Sequence, residues 1–199
     1  TTKQYTPFLD NLVELTTTDG VTAELPAGYT IATGAKILAG KRSKYEMSSE
    51  KYTVSGTTIT LTGGDIRDEG ETTSTIYVGE LFESRYTPTR PFIYVEGLPD
   101  TTDKVRVAAF TISVVDTAQL SMEINSKFFA TTQTDKSASI IGQFSAVVGQ
   151  IAFATDDWRY SFKNKADLAT ASFFTRSPYN LTIVAMSWEG QIHKTSKRI

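Results

Sequence analysis

The sequence contains no cysteine and a single histidine among its 199 residues. Disulfides, thiol nucleophiles and thiolate metal sites are thereby excluded, and a zinc site would have to rest on His193 and carboxylates alone. Proline is sparse, with six residues, and none interrupts the stretch from Asp100 to Ser177. No segment approaches the roughly 18 to 20 uninterrupted apolar residues that a membrane-spanning helix requires. The most apolar stretch, Val105 to Ala118, is broken by Arg106 and Asp116. A surplus of charge is also missing, since 20 basic and 22 acidic residues give a net −2. A generally cationic nucleic-acid binder is excluded by that balance, although a local basic patch is not.

What the chain has in quantity is residues suited to strands. It carries 31 threonines, and 22 aromatic side chains add to its valine and isoleucine. Such β-branched and aromatic types fit a pleated, half-buried surface. Leucine is scarce, and no apolar period of 3.6 residues is sustained. The composition therefore predicts an all-β protein, with antiparallel sandwich-like modules and little helix. At 40% apolar content the chain can fill a true core. It opens Thr-Thr-Lys, without an initiator Met, and reads as a portion of something longer.

Turn signals divide the first third into short strands. Asn11 to Thr18 and Val21 to Leu25 flank Asp19-Gly20, a hairpin-type dipeptide. The clearest hairpin pairs Lys51–Val54 with Thr58–Thr62 around Ser55-Gly56, placing Tyr52, Val54, Ile59 and Leu61 on one face. The acidic stretch Gly63 to Thr73 has no apolar period and reads as an exposed loop. A boundary there predicts a small β module at 1–74 and a larger sandwich-like domain at 75–199.

In the second part, the apolar set of Lys104 to Asp116 runs Val105, Val107, Ala109 and then shifts to Phe110, Ile112, Val114, which predicts a bulge near Ala108–Ala109 or a strand buried on both faces. Gln119 to Ile124 reads as its return partner, and Ala130 to Ser139 as a loop. Asp157 to Lys163 alternates cleanly, with Trp158, Tyr160 and Phe162 inward. Asn164 to Ala171 has room for one helical turn, and Tyr179 to Trp188 closes the sheet ahead of a basic tail.

Few constellations carry chemistry. No Gly-x-Ser-x-Gly elbow accompanies His193, so a serine triad has no nucleophile. The neighbouring carboxylates Asp156/Asp157, Asp65/Asp68 and Glu80/Glu83 are of the type a glycosidase uses, but among 22 acidic residues such neighbours arise by chance, and solvated loop or outward strand positions are the favoured reading. Asp65, Asp68, Glu69 and Glu71 do not follow the spacing of an EF-hand calcium loop. No phosphate-binding glycine motif is present. The sequence thus predicts no catalytic, cofactor or metal site, and no cofactor.

Two segments resemble a known family. One is Ile76 to Ile93, Ile-Tyr-Val-Gly-Glu-Leu-Phe-Glu-Ser-Arg-Tyr-Thr-Pro-Thr-Arg-Pro-Phe-Ile. The other is Leu181 to Ile199, with Ser187-Trp188-Glu189-Gly190 at its centre and Ser177-Pro178 on its approach. Together they resemble the tail tubular protein B family, the nozzle proteins at the tail end of short-tailed bacteriophages. Members of that family are several times longer, so the resemblance implies a C-terminal portion. It also implies a virion-tail location, a hexameric ring on the tail adaptor, contacts with tail-fibre proteins and passing contact with DNA during ejection. The motif residues Gly79, Arg85, Tyr86, Arg90, Trp188, Glu189 and Gly190 become candidates for structural or interface roles.

These residue types also have ordinary uses within one chain. Gly79 permits a close backbone approach. Arg85 and Arg90 flank the Tyr86–Thr89 bend, where a guanidinium fork can reach several acceptors. Trp188 and Glu189 lie where a strand ends at Gly190. A competing reading is a carbohydrate-binding or carbohydrate-cleaving β domain, with Trp158, Tyr160, Tyr179 and Trp188 as sugar platforms. It requires those aromatics to be exposed.

Overall fold

A computed structural model describes residues 7–31, 35–39, 45–47, 52–67, 70–91, 93–95, 98–100, 104–139 and 152–193. Among these the secondary structure is strand and turn, without helix, and the sheets are antiparallel. The all-β expectation therefore holds. No helix of the described residues is long and apolar enough to cross a membrane.

The chain forms two compact units. The first comprises residues 1–82, 140–152 and 176–180, and the second 83–139, 153–175 and 181–199. The first unit takes in the strand after the acidic loop and so runs to Phe82, beyond the break at 74.

Unit one contains β1 (Asp10–Thr17), β2 (Thr22–Glu24), β3 (Lys36–Ala39), β4 (Tyr45–Met47), β5 (Tyr52–Ser55), β6 (Thr58–Leu61) and β7 (Ser74–Glu80). One sheet has the order β1-β7-β3-β4 and the other β2-β6-β5. Leu15, Ile37, Ile76 and Val78 from the first meet Ala23, Ile59 and Leu61 from the second in one core. The expected β5–β6 hairpin forms, with Tyr52 opposite Leu61 and Val54 opposite Ile59. Gly56 makes its bend in the left-handed region, at φ 61°, where a side chain would be strained.

Asp19-Gly20 does not join a hairpin. β1 pairs with β7, while β2 pairs with β6, so the dipeptide carries the chain from one sheet to the other. The Asp19 carboxylate explains why a turn still forms there. It accepts hydrogen bonds from the Val21 and Thr22 amides at 2.8 and 2.7 Å and from the Thr17 hydroxyl at 2.9 Å. These donors, with the Thr22 hydroxyl foremost, hold its carboxyl well below the usual range.

Unit two contains β8 (Ser84–Tyr86), β9 (Ile93–Val95), β10 (Leu98–Asp100), β11 (Lys104–Thr117), β12 (Gln119–Ser126), β13 (Thr132–Ser137), β14 (Ala154–Lys165), β15 (Ala169–Thr175) and β16 (Thr182–His193). A sheet of order β14-β11-β16 packs on one of order β13-β12-β15-β8. β9 and β10 form a separate small ribbon. Between the larger sheets lie Val107, Phe110, Ile112, Leu120, Met122, Tyr160 and Phe173, each less than a twentieth exposed. Phe110 meets Phe162 and Phe173 edge-on, at 5.3 and 5.6 Å between ring centroids, a geometry favoured by the ring quadrupoles.

Several expectations hold in this unit and others need correction. β14 alternates as read, with Trp158, Tyr160 and Phe162 buried. The ladder between β11 and β16 slips at Val107/Ala109, so β11 is bulged where its apolar face shifts. β12 is not the return partner of β11. After Thr117 the chain crosses to the opposite sheet, and β12 pairs with β13 and β15 instead. Adjacency in sequence had the look of a hairpin, but Thr117 and Ala118 are buried at the crossing. Residues 132–137, read as loop, form β13, an almost wholly exposed edge strand with no apolar period to announce it. The segment after Asn164 makes a turn at 166–168, closed by the Leu168 amide donating to the Lys165 carbonyl at 3.1 Å, and not a helix.

Candidate functional site

Arg85 heads a polar cluster that reaches across three strands, β8, β15 and β12. On β8 it stands in register with Phe174 of β15, and its guanidinium lies 4.5 Å above that ring. Its Nε donates to Glu83 at 2.6 Å and its Nη1 to Glu123 of β12 at 2.9 Å. Glu123 also accepts from the Asn125 side chain, at 2.8 Å. The two carboxylates hold the Arg85 guanidinium above its ordinary range, and Arg85 in turn pulls Glu123 below its own. All three side chains of the ion triad are partly exposed. A planar fork bridging two strands and stacked on an aromatic fixes geometry well, and Lys could not replace it. The adjacent Tyr86 is 54% exposed and turns outward.

Beyond Tyr86, Thr87 shares a hydroxyl hydrogen bond of 2.8 Å with Ser172. The chain then passes over a cavity of about 40 Å³ lined by Pro88, Arg90, Pro91, Phe110, Phe162 and Ala169. Substrate pockets are typically ~300 Å³ or more. This one has room for a water or two. Arg90 stands exposed at its rim.

The third group lies on β16. Trp188 is opposite Phe110, Met186 opposite Ile112 and Ile192 opposite Val105. Facing partners share one side of a sheet, so these apolar residues point to the side that holds the core. They are nevertheless 38, 37 and 47% exposed, and every residue from Thr182 to His193 is exposed. Glu189 points to the other face and meets Arg159 at 3.1 Å. Gly190 lies inside the strand, which continues to His193 and does not end there as expected. A Cβ at Gly190 would overlap the Arg106 carbonyl oxygen and stand 3.1 Å from the Trp188 ring. Gly79 is similarly tight, with an added Cβ 2.7 Å from that of Leu9 and 2.9 Å from the Asp10 carbonyl oxygen.

The candidate residues thus fall into separate places. Gly79 belongs to unit one; Arg85, Tyr86 and Arg90 line one side of unit two; Trp188, Glu189 and Gly190 occupy its β16 edge. Sequence reasoning missed Glu123, because only the pairing of β8, β15 and β12 brings it to Arg85. It also missed Phe128 and Phe129, which stand 71 and 74% exposed on the β12–β13 turn. Two adjacent phenylalanines beside Lys127 were their available signal.

The carboxylate pairs are otherwise engaged. Asp65 is bound to Arg67 at 2.7 Å. Asp157 accepts from Ser113 at 2.5 Å, and its own amide donates to Asp156 at 2.8 Å. Glu83 serves Arg85, while Glu80 accepts from Asn11 at 3.3 Å. Asp68 and Glu69 lie outside the described residues. Among the described residues no three side chains of His, Asp or Glu converge as metal ligands. His193 lies exposed at the end of β16, opposite Lys104. Of the aromatics offered as sugar platforms, Trp158, Tyr160 and Tyr179 are buried, and only Trp188 retains an accessible face.

Such an arrangement, cross-strand ion clusters and open sheet edges on an all-β frame, is of the kind a structural module carries. The chain belongs to the bacteriophage nozzle protein family, whose model matches residues 2–199. That membership gives it a structural role and a place in the virion tail, in assembly with other tail proteins. No curated protein matches the chain significantly.

Proposed function

We propose that this chain is part of a ring-forming subunit of a tail nozzle, acting by protein–protein contact and not by catalysis. The ring sits on the tail adaptor, offers loops and sheet edges to tail-fibre proteins and surrounds the path that DNA takes on ejection. The family match over residues 2–199 carries this reading. The arginine and carboxylate side chains support it, since Arg85 donates both to neighbouring Glu83 and, across the sheet, to Glu123, tying strands together.

The carbohydrate reading loses its support with the burial of Trp158 and Tyr160. A sugar platform needs exposed, coplanar rings, and Tyr86 and Trp188 stand on different sheets. Depletion tests the proposal. Particles assembled without the protein should carry incomplete tails lacking fibres, and complete, fibre-bearing tails in its absence would overturn it.

A further inference from the structure

Phe128 and Phe129 hold two large apolar rings in solvent at the turn between β12 and β13. Every residue from Lys127 to Thr131 is exposed, so the turn is a projection and not a groove. Its own polar groups shape it. The Thr131 hydroxyl donates to the Asn125 side-chain oxygen at 2.8 Å, and the Phe128 amide to the Ser126 hydroxyl at 3.3 Å. The Lys127 amide donates to the Leu168 carbonyl at 3.1 Å. These bonds fix the backbone of the turn while neither ring gains burial from its own chain, a loss of apolar burial that calls for an external contact.

The same end of unit two gathers positive charge. The Lys127–Leu168 bond sets the aromatic turn beside the turn at 166–168, which Lys165 precedes. There the Ala166 amide donates to the Val105 carbonyl at 2.9 Å and so brings in β11. On β11, Arg106 faces Lys165 in register and Lys104 follows two residues away. Lys104, Arg106, Lys127 and Lys165 are all exposed, and none has an ion-pair partner among the described residues. Asp167 is the one carboxylate between Lys165 and Leu168. Like charges directly opposite in a sheet are destabilising, so an anionic surface against Arg106 and Lys165 would offset a cost that the single chain bears.

We propose that this end of unit two docks on a lipid bilayer carrying anionic phospholipid. Phe128 and Phe129 enter the boundary between headgroups and acyl chains, and Lys104, Arg106, Lys127 and Lys165 meet the phosphates. A projecting pair of rings can enter a fluid surface directly, whereas a protein partner would need a pocket shaped to both. Surface binding of this kind adds buried apolar area to the attraction of basic side chains for anionic headgroups. The rings alone offer little area, and the charges alone are screened by salt, so the two contributions act together. The contact lies on the membrane and involves no spanning segment. It goes beyond the nozzle reading and needs only one copy of the chain, so it can fail while the ring stands.

Vesicle flotation of the full chain tests it, comparing phosphatidylcholine alone with phosphatidylcholine mixed with phosphatidylglycerol at about 50 mM salt, where screening is weak. The chain should float with the mixed vesicles and be released as the salt is raised. Phe128→Ser with Phe129→Ser, and separately Lys127→Gln with Lys165→Gln, should each weaken that binding by about tenfold or more. All four positions are exposed, so an unchanged melting temperature shows that the fold survives. In a Phe129→Trp variant the added fluorescence should be quenched by brominated acyl chains, which reads entry of the tip itself. A parent chain that stays off the mixed vesicles overturns the proposal. Binding that survives the loss of both rings overturns it too, as does an added tryptophan that the bromines do not quench. A serine variant that fails to join other tail proteins, while the parent ignores vesicles, would put protein on this tip and overturn the lipid contact. Ring assembly, measured separately by native mass spectrometry, tells each of these failures from a failure of the nozzle reading.

Discussion

At the scale of single residues, the chain uses small numbers of polar groups to fix turns and strand crossings. Asp19 is the sharpest case. Four donors converge on its carboxylate, so its folded value lies below the ~3.9 of an unperturbed aspartate. A depressed folded value means that its contribution is complete above about pH 4 and is lost as the pH falls through the folded value. Asp19→Asn should therefore flatten the acid limb of the stability profile, measured by urea unfolding from neutral pH downward. An unaltered acid limb would show that the turn does not depend on this charge. Gly79 illustrates space instead of charge. With Leu9 and the Asp10 carbonyl so close to a prospective Cβ, Gly79→Ala should cost about 1–3 kcal/mol in unfolding free energy. A loss below a few tenths would mean that β1 moves aside freely.

At the scale of elements, what could be read from sequence was whatever left a local periodic trace. β14 announced itself through Trp158, Tyr160 and Phe162, and the β5–β6 hairpin through paired apolar residues around Gly56. The β11 bulge was readable because the apolar set changes face at Ala108. β13 left no trace, since a strand exposed on both faces needs no alternation. β12 misled through its position, because the partner of a strand is decided by packing and not by adjacency. β16 forms where Tyr179 to Trp188 reads as closing the sheet, yet its apolar residues Ile183, Val184, Met186 and Trp188 are exposed, which composition does not reveal. For the candidate site, Glu83 is near enough in sequence to be paired with Arg85 by inspection, whereas Glu123 is not.

Those elements meet in the core of unit two, and a prediction belongs there. Phe173 of β15 lies 5.6 Å from Phe110 and 5.8 Å from Tyr160, ring to ring, and so ties its sheet to the one opposite. Phe173→Ala should destabilise that unit by about 3–5 kcal/mol, seen as a lowered denaturant midpoint. The tyrosine supports the same contact through its hydroxyl, which donates to the Leu120 carbonyl at 2.8 Å inside the core. Its burial pushes that hydroxyl well above its ordinary range, so it stays a donor at neutral pH.

At the scale of the whole molecule, a net charge of −2 conceals separated groups of opposite sign. The acidic pair at Asp10 and Glu80 belongs to one unit and the basic pair at Arg106 and Lys165 to the other. Composition gave no sign of them, because each depends on strand register. A cysteine-free, threonine-rich chain with little histidine is poorly supplied with catalytic groups and well supplied with β-branched surface. Membership of the nozzle family gives that surface its setting in the virion tail. The most direct measurement of the central claim is a cryo-electron microscopy reconstruction of the intact tail. The account predicts that both β units of this chain fit density repeated around the nozzle at the tail end. Density that places the chain elsewhere in the particle, or a complete nozzle with no room for it, would contradict the account.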